Sequence, residues 1–294
     1  MALLIRHLQI RRPAGFLEHY PRVLIRSGTE HFFGRRHQSW LDVMGLRQER
    51  RRAKTLPMSP RAGQLSAHQR RSLERDGYLL VPSLLDEAAV ARMAGRLTEF
   101  VRQTVEAWDA DPAPNIVEPG VVRGKLGLAD PDFAPCCDHP LLAEAATAVL
   151  GPDWHLGALS LRAPLPGCGH QGLHPDFEQR RTEGRWQTLS AMWCITAFTP
   201  DNGPLRIIPG SHRVSKPPID MLAFGTGMGP HPNEVKIVAP AGSVIMFNSA
   251  DLWHSGTLNY SPAPRLAVTA GFDPGGSRPI SLSACNRDDP QLTV

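Results

Sequence analysis

The spacing of apolar residues changes at about residue 151, and this change limits the fold more than any other feature of the chain. Before it the pattern is helical. Ser66 followed three residues later by Gln69 forms a capping box that predicts a helix from there to about Arg75, ending near Asp76-Gly77. Tyr78-Leu79-Leu80-Val81 reads as a short strand stopped by Pro82. From Asp86, the residues Val90, Met93, Leu97, Phe100, Val101, Val105 and Trp108 recur mostly every three or four positions. They predict an amphipathic helix that stops before Asp111-Pro112-Ala113-Pro114. After a loop-rich stretch, Pro140 opens a third helical pattern that Gly151-Pro152 closes. Beyond that point only short β-rich runs remain, separated by Pro-, Gly- and Asn-rich turns: 154–163, 186–198, 205–208, 235–238, 243–247 and 265–272. Helices first and many short strands afterwards predict a mainly β fold, a jelly roll with an N-terminal helical support.

Within the β half, His174-Pro175-Asp176 places an imidazole and a carboxylate two residues apart. On an extended strand both point to one side, so both can reach a common ion. His-x-Asp pairs are frequent by chance, and the reading gains weight only from Asp251-Leu252-Trp253-His254-Ser255-Gly256, which follows the apolar strand 243–247. Two histidines and one carboxylate on one face of an octahedron suit non-haem Fe(II) and leave three positions for a co-substrate and dioxygen. Eleven residues after His254, Arg265 lies in Pro264-Arg265-Leu266-Ala267-Val268. An arginine facing the same cavity can hold a carboxylate with two parallel hydrogen bonds, which lysine cannot match.

Taken in order, His174-Pro175-Asp176, the run from Asn202-Gly203-Pro204-Leu205-Arg206 to Pro209-Gly210-Ser211-His212, and His254 with Arg265 resemble the phytanoyl-CoA dioxygenase family. The opening 76–82 is similar to that family's usual entry, so the resemblance covers roughly residues 65–275. It implies a double-stranded β-helix of cupin-like form, with Fe(II), 2-oxoglutarate and O2 consumed together and succinate and CO2 released. It also implies that His174, Asp176 and His254 hold iron and that Arg265 grips the distal carboxylate of 2-oxoglutarate, with Ser255 or Thr257 assisting. Lys125 falls where the family often has a basic residue near the co-substrate. Arg162 and Trp193 lie on strands expected to face the cavity and are candidate substrate contacts; His212 is expected to be structural.

The expected activity is oxidation, hydroxylation in the simplest case, of a small-molecule metabolite, for example in natural-product biosynthesis. Phe177-Glu178 resembles ectoine hydroxylases of the same family, but their longer pattern does not continue through Gln179-Arg180-Arg181. An acyl-CoA hydroxylase and a non-catalytic binding protein on the same fold are the alternatives. The carboxylate of Asp176 argues against halogenation, which needs a vacant ligand position there.

Charge divides the chain near residue 62. Residues 1–62 hold 13 Lys and Arg against 4 Asp and Glu, whereas the remainder holds 19 against 24. A basic extension (1–62) followed by one oxygenase domain (63–294) is the expected organisation. The Arg-rich arm permits a transit peptide, and Met58 permits a later start. Because the body is not basic, nucleic acid is not an expected partner. No run of 18 apolar residues predicts a membrane span. Five cysteines without C-x-x-C spacing suit a reducing, cytoplasmic setting.

Overall fold

A computed structural model describes residues 63–110, 118–128, 130–177, 179, 181, 183–214 and 228–275. The basic extension lies outside these residues. Helix α1 (Ala67–Asp76) starts with the expected capping box: Ser66 Oγ accepts from the Gln69 amide, and Gln69 Oε1 accepts from the Ser66 amide. It ends on Gly77, whose φ of 78° is left-handed and lets its amide reach the Leu73 carbonyl. Strand β1 (Tyr78–Val81) follows, then helix α2 (Glu87–Ala110), whose first turn is capped by Asp86 accepting from the Ala89 amide. Next come β2 (Val121–Lys125), in a stretch read from sequence as loop, and α3 (Pro140–Leu150), capped by His139 Nδ1 and opened by Pro140.

The remaining strands are β3 (Trp154–Pro164), β4 (Leu189–Cys194), β5 (Leu205–Ile207), β6 (Val235–Lys236), β7 (Val244–Phe247), β8 (His254–Gly256) and β9 (Ala267–Pro274). They form two antiparallel sheets, a larger one in the order β1-β7-β4-β9-β3-β2 and a smaller one in the order β6-β5-β8. His174 extends the smaller sheet by pairing with His254. Two facing antiparallel sheets with helices on the outer side of the larger one make the double-stranded β-helix, and they confirm the expected jelly roll.

Alternation along each strand divides the larger sheet into two faces. On β4, Ser190 and Met192 point inward, whereas Ala191 and Trp193 point outward toward the helical layer, where α3 packs against β3, β4 and β9. Between the sheets lies an apolar cluster built on Phe198, Ile207, Ile237, Ile245 and Phe247, and Phe247 also borders the cavity.

Candidate active site

Residues 171–176 and β8 run side by side. His174 and His254 exchange both backbone hydrogen bonds at 3.0 Å, so their side chains share a face of the smaller sheet. Their ring centroids lie 4.9 Å apart. Asp176, fixed by its amide donating to the Ser249 carbonyl, brings Oδ1 to 3.7 Å from His174 Nε2 and 3.6 Å from His254 Nε2. One potential ligand atom from each of the three lies within 4.8 Å of the others.

The chemistry of this donor set fits a divalent metal. His174 Nδ1 donates to the Gly172 carbonyl at 2.7 Å and His254 Nδ1 donates to the Leu252 carbonyl at 2.8 Å. A carbonyl can only accept, so each Nδ1 carries the proton and each Nε2 keeps a lone pair for the ion. Burial lowers the pKa of His254 against the opposing pull of Asp176, which favours the neutral imidazole a metal requires.

The triad opens into a cavity of about 120 Å³, with Ser160, Arg162, Gln171, Ser190, Met192, Thr269 and Arg265 on its walls. Arg265 precedes β9 with the same parity as Ala267 and Thr269, and its amide donates to the Pro164 carbonyl. Its side chain is 1% exposed, lies over the Phe198 ring and has no hydrogen-bond partner at Nε or Nη1. Burial, and secondarily the charge of Arg162, brings its pKa down to about 9. An unmatched buried cation is costly. A planar carboxylate delivered through the cavity would satisfy it, and in this the residues present fit 2-oxoglutarate.

Arg162, on β3, lines the cavity as expected and passes close to Gly256, where a side chain would meet its guanidinium at 2.9 Å. Its Nη2 donates to Glu118, which also accepts from Arg123, the cavity-lining residue directly opposite on β2. Burial lowers the pKa of Arg162, with Arg123 adding to the effect and Glu118 opposing it. Burial alone would raise the Glu118 carboxyl, but the charges of Arg162 and Arg123 outweigh it and hold the pKa below its ordinary value.

Four expected contacts are placed elsewhere. Trp193 is fully buried on the outer face of β4, and its indole N–H donates to the Cys136 carbonyl under the helices. The two-residue alternation that brings Met192 inward sends Trp193 outward. Ser255 lies on the opposite face of β8 from His254, where its Oγ accepts from Arg206 Nε at 2.6 Å. Thr257 donates its hydroxyl to the Pro204 carbonyl at 2.7 Å. Lys125, opposite Ser160 at the end of β2, does not line the cavity; Arg123 does. His212, expected to be structural, bonds the Glu74 carbonyl through Nε2 at 3.1 Å.

The sequence reading missed Arg123, Ser160, Gln171, Ser190, Met192 and Thr269. Stepping by two from Arg162 or Arg265 reaches Ser160 and Thr269, but no comparable marker picks out Gln171 or Arg123.

Fold and site together define an iron- and 2-oxoglutarate-dependent dioxygenase on a double-stranded β-helix. The family model described as Phytanoyl-CoA dioxygenase (PhyH) matches residues 73–267, and the chain belongs to that family. It is 30% identical over 238 residues to the ectoine dioxygenase of Bordetella parapertussis, covering 70% of this chain and 75% of that protein. In fold it resembles HygX from Streptomyces hygroscopicus, solved with nickel and 2-oxoglutarate, at TM-score 0.58 and 17% identity over 73% of this chain and 89% of HygX. It likewise resembles SnoN, a non-haem α-ketoglutarate-dependent epimerase from nogalamycin biosynthesis, at TM-score 0.53 and 20% identity over 70% of this chain and 80% of SnoN.

Proposed function

We propose that His174, Asp176 and His254 are the iron ligands, that Arg265 receives the distal carboxylate of 2-oxoglutarate, and that the enzyme oxidises a small metabolite in the cavity between them. The observation that carries this reading is the buried, unpartnered Arg265 on the same cavity as a triad whose two Nε2 lone pairs are free for a metal. Bound Fe(II) supplies activation of dioxygen at the expense of 2-oxoglutarate, which leaves as succinate and CO2. The chain's own residues hold the reactants. The two histidine tautomers are locked by main-chain carbonyls, Arg265 neutralises the co-substrate's far end, and Phe198 packs on the guanidinium.

For the primary substrate, the polar wall of Ser160, Gln171, Ser190 and Thr269 beside Met192 and Phe247 suits a compact, partly polar molecule. The names of the relatives support that class: ectoine dioxygenase in Bordetella, and SnoN in nogalamycin biosynthesis. SnoN is an epimerase, so the outcome on the substrate varies on this fold. The reading extends to a cytoplasmic enzyme with neither nucleic-acid nor membrane partners. It is supported by Cys136, Cys137 and Cys194, which the fold buries as thiols and not as disulfides.

Anaerobic titration with Fe(II), followed by 2-oxoglutarate, tests the assignment. Wild-type protein is expected to bind both and to release succinate once O2 is admitted. Asp176→Ala is expected to remain folded by circular dichroism and to lose iron retention and turnover together. Normal turnover in that variant removes Asp176 from the ligand set.

A further inference from the structure

Arg206 belongs to the Asn202–His212 motif, yet its side chain faces away from the cavity. It sits on β5, on the outward face of the smaller sheet, and is 2% exposed. Each of its three guanidinium nitrogens donates a hydrogen bond. Nε donates to Ser255 Oγ at 2.6 Å, Nη2 to the Gln171 carbonyl at 3.1 Å, and Nη1 to the Gly229 carbonyl at 2.7 Å and to Glu234 Oε2 at 3.0 Å.

The partners explain what this achieves. Ser255 adjoins His254, and Gln171 lies three residues before His174. Between these points the pairing of the two histidine-bearing segments is irregular. The Gln171 amide donates to the Gly256 carbonyl, and His174 and His254 exchange backbone bonds, so three steps along one segment face two along the other. The extra residue is a bulge, and a bulged ladder has fewer backbone bonds to fix its register. Gln171 Oε1 repairs part of the loss by accepting from the Gly256 amide at 3.0 Å. Arg206 supplies the rest from the other face, reaching across β8 to grip both segments at once.

We propose that Arg206 is a positioning residue for the metal centre, setting the distance between His174 and His254 through Ser255 and Gln171, with Glu234 balancing its charge. The inference rests on the triad being the iron site. Partners that orient metal ligands typically contribute 10-fold to 100-fold in metal affinity, and a lysine cannot reproduce a fork that binds a hydroxyl, two carbonyls and a carboxylate.

The test is anaerobic Fe(II) titration of wild type, Arg206→Lys and Ser255→Ala, with the charge-transfer band of the Fe(II)–2-oxoglutarate complex recorded for each. Arg206→Lys keeps a cation opposite Glu234. It is expected to bind Fe(II) about 10-fold to 100-fold more weakly and to shift the band, a change that a uniform loss of stability does not produce. Ser255→Ala leaves the Arg206–Glu234 pair intact and is expected to weaken Fe(II) binding less, with a band shift in the same direction; it decides the matter if Arg206→Lys does not fold. Wild-type Fe(II) affinity and an unshifted band in the folded variants overturn the inference alone. Failure of wild type to bind Fe(II), or wild-type affinity in His174→Ala, overturns the iron assignment and the inference with it.

Discussion

The guanidinium carbon of Arg265 lies 4.3 Å from the centroid of the Phe198 ring. The aromatic face covers one side of the cation and leaves its hydrogen-bonding edge uncommitted at Nε and Nη1. The position of this edge is fixed before any co-substrate arrives, so little reorganisation is needed to pair it.

Arg265→Ala is therefore expected to weaken 2-oxoglutarate binding more than a hundredfold while leaving Fe(II) affinity nearly unchanged. Breaking a buried charge pair costs about 3–5 kcal/mol, and every 1.4 kcal/mol is roughly tenfold. Arg265→Lys should recover only part of the loss, because lysine keeps the charge without the planar fork. Titrations of both ligands on the folded variants check this, and unchanged 2-oxoglutarate affinity in Arg265→Ala removes the residue from the site.

The same residue has a cost to the ligand-free protein. Its pKa is about 9 in the fold, below the ordinary 12.5, so at neutral pH the fold disfavours the charged form that the unfolded chain retains. Between those values the unfolded chain binds more protons, so this contribution to stability rises with pH there and is unfavourable throughout below about 9. Arg265→Met is expected to melt at a higher temperature than wild type without ligand at pH 7, and to gain nothing from 2-oxoglutarate, which should raise the wild-type Tm.

Glu118 is the counterweight for two cavity arginines, and Glu118→Gln leaves the buried Arg162 without its charge partner. A loss of about 3–5 kcal/mol follows from a broken buried pair. Because the folded pKa of Glu118 is depressed, its contribution is present above the ordinary carboxylate pKa and disappears as pH falls through the folded value. Urea unfolding at neutral and acidic pH should show a gap between wild type and Glu118→Gln that narrows in acid.

Trp193→Ala should act on stability and not on co-substrate binding, because its ring lies beneath the helices and its N–H serves Cys136. A large-to-small change at a core aromatic costs about 3–5 kcal/mol. Denaturant unfolding is expected to register that loss while 2-oxoglutarate affinity in the folded fraction stays unchanged.

For the basic extension, the expectation is dispensability for chemistry. The family match starts at residue 73 and every proposed ligand lies beyond it. A chain beginning at Met58 should bind Fe(II) and release succinate at the wild-type rate. Loss of soluble protein on this truncation would overturn that expectation.

The local signals were legible in the sequence because each depends on neighbours close along the chain. The capping box at Ser66, the spacing in α2, the Pro140 start of α3 and the β-rich second half each involve side chains a few residues apart. The candidate ligands His174, Asp176, His254 and Arg265 were legible through residue type, spacing and family resemblance. What only the tertiary structure decided was which face each strand residue occupies and what stands across from it. Trp193 and Met192 are adjacent, as are Ser255 and His254, yet a one-residue difference in parity separates core from cavity and outer face from metal centre. Strand β2 carries no local strand signal, because its five residues include Gly124 and no sustained alternation, so it becomes a strand only through pairing with β3. Arg206 gives no local sign of its reach: its partners at Gln171, Ser255 and Glu234 are brought together by sheet order alone, and a hydrogen-bond network of that kind exists only after the register is set.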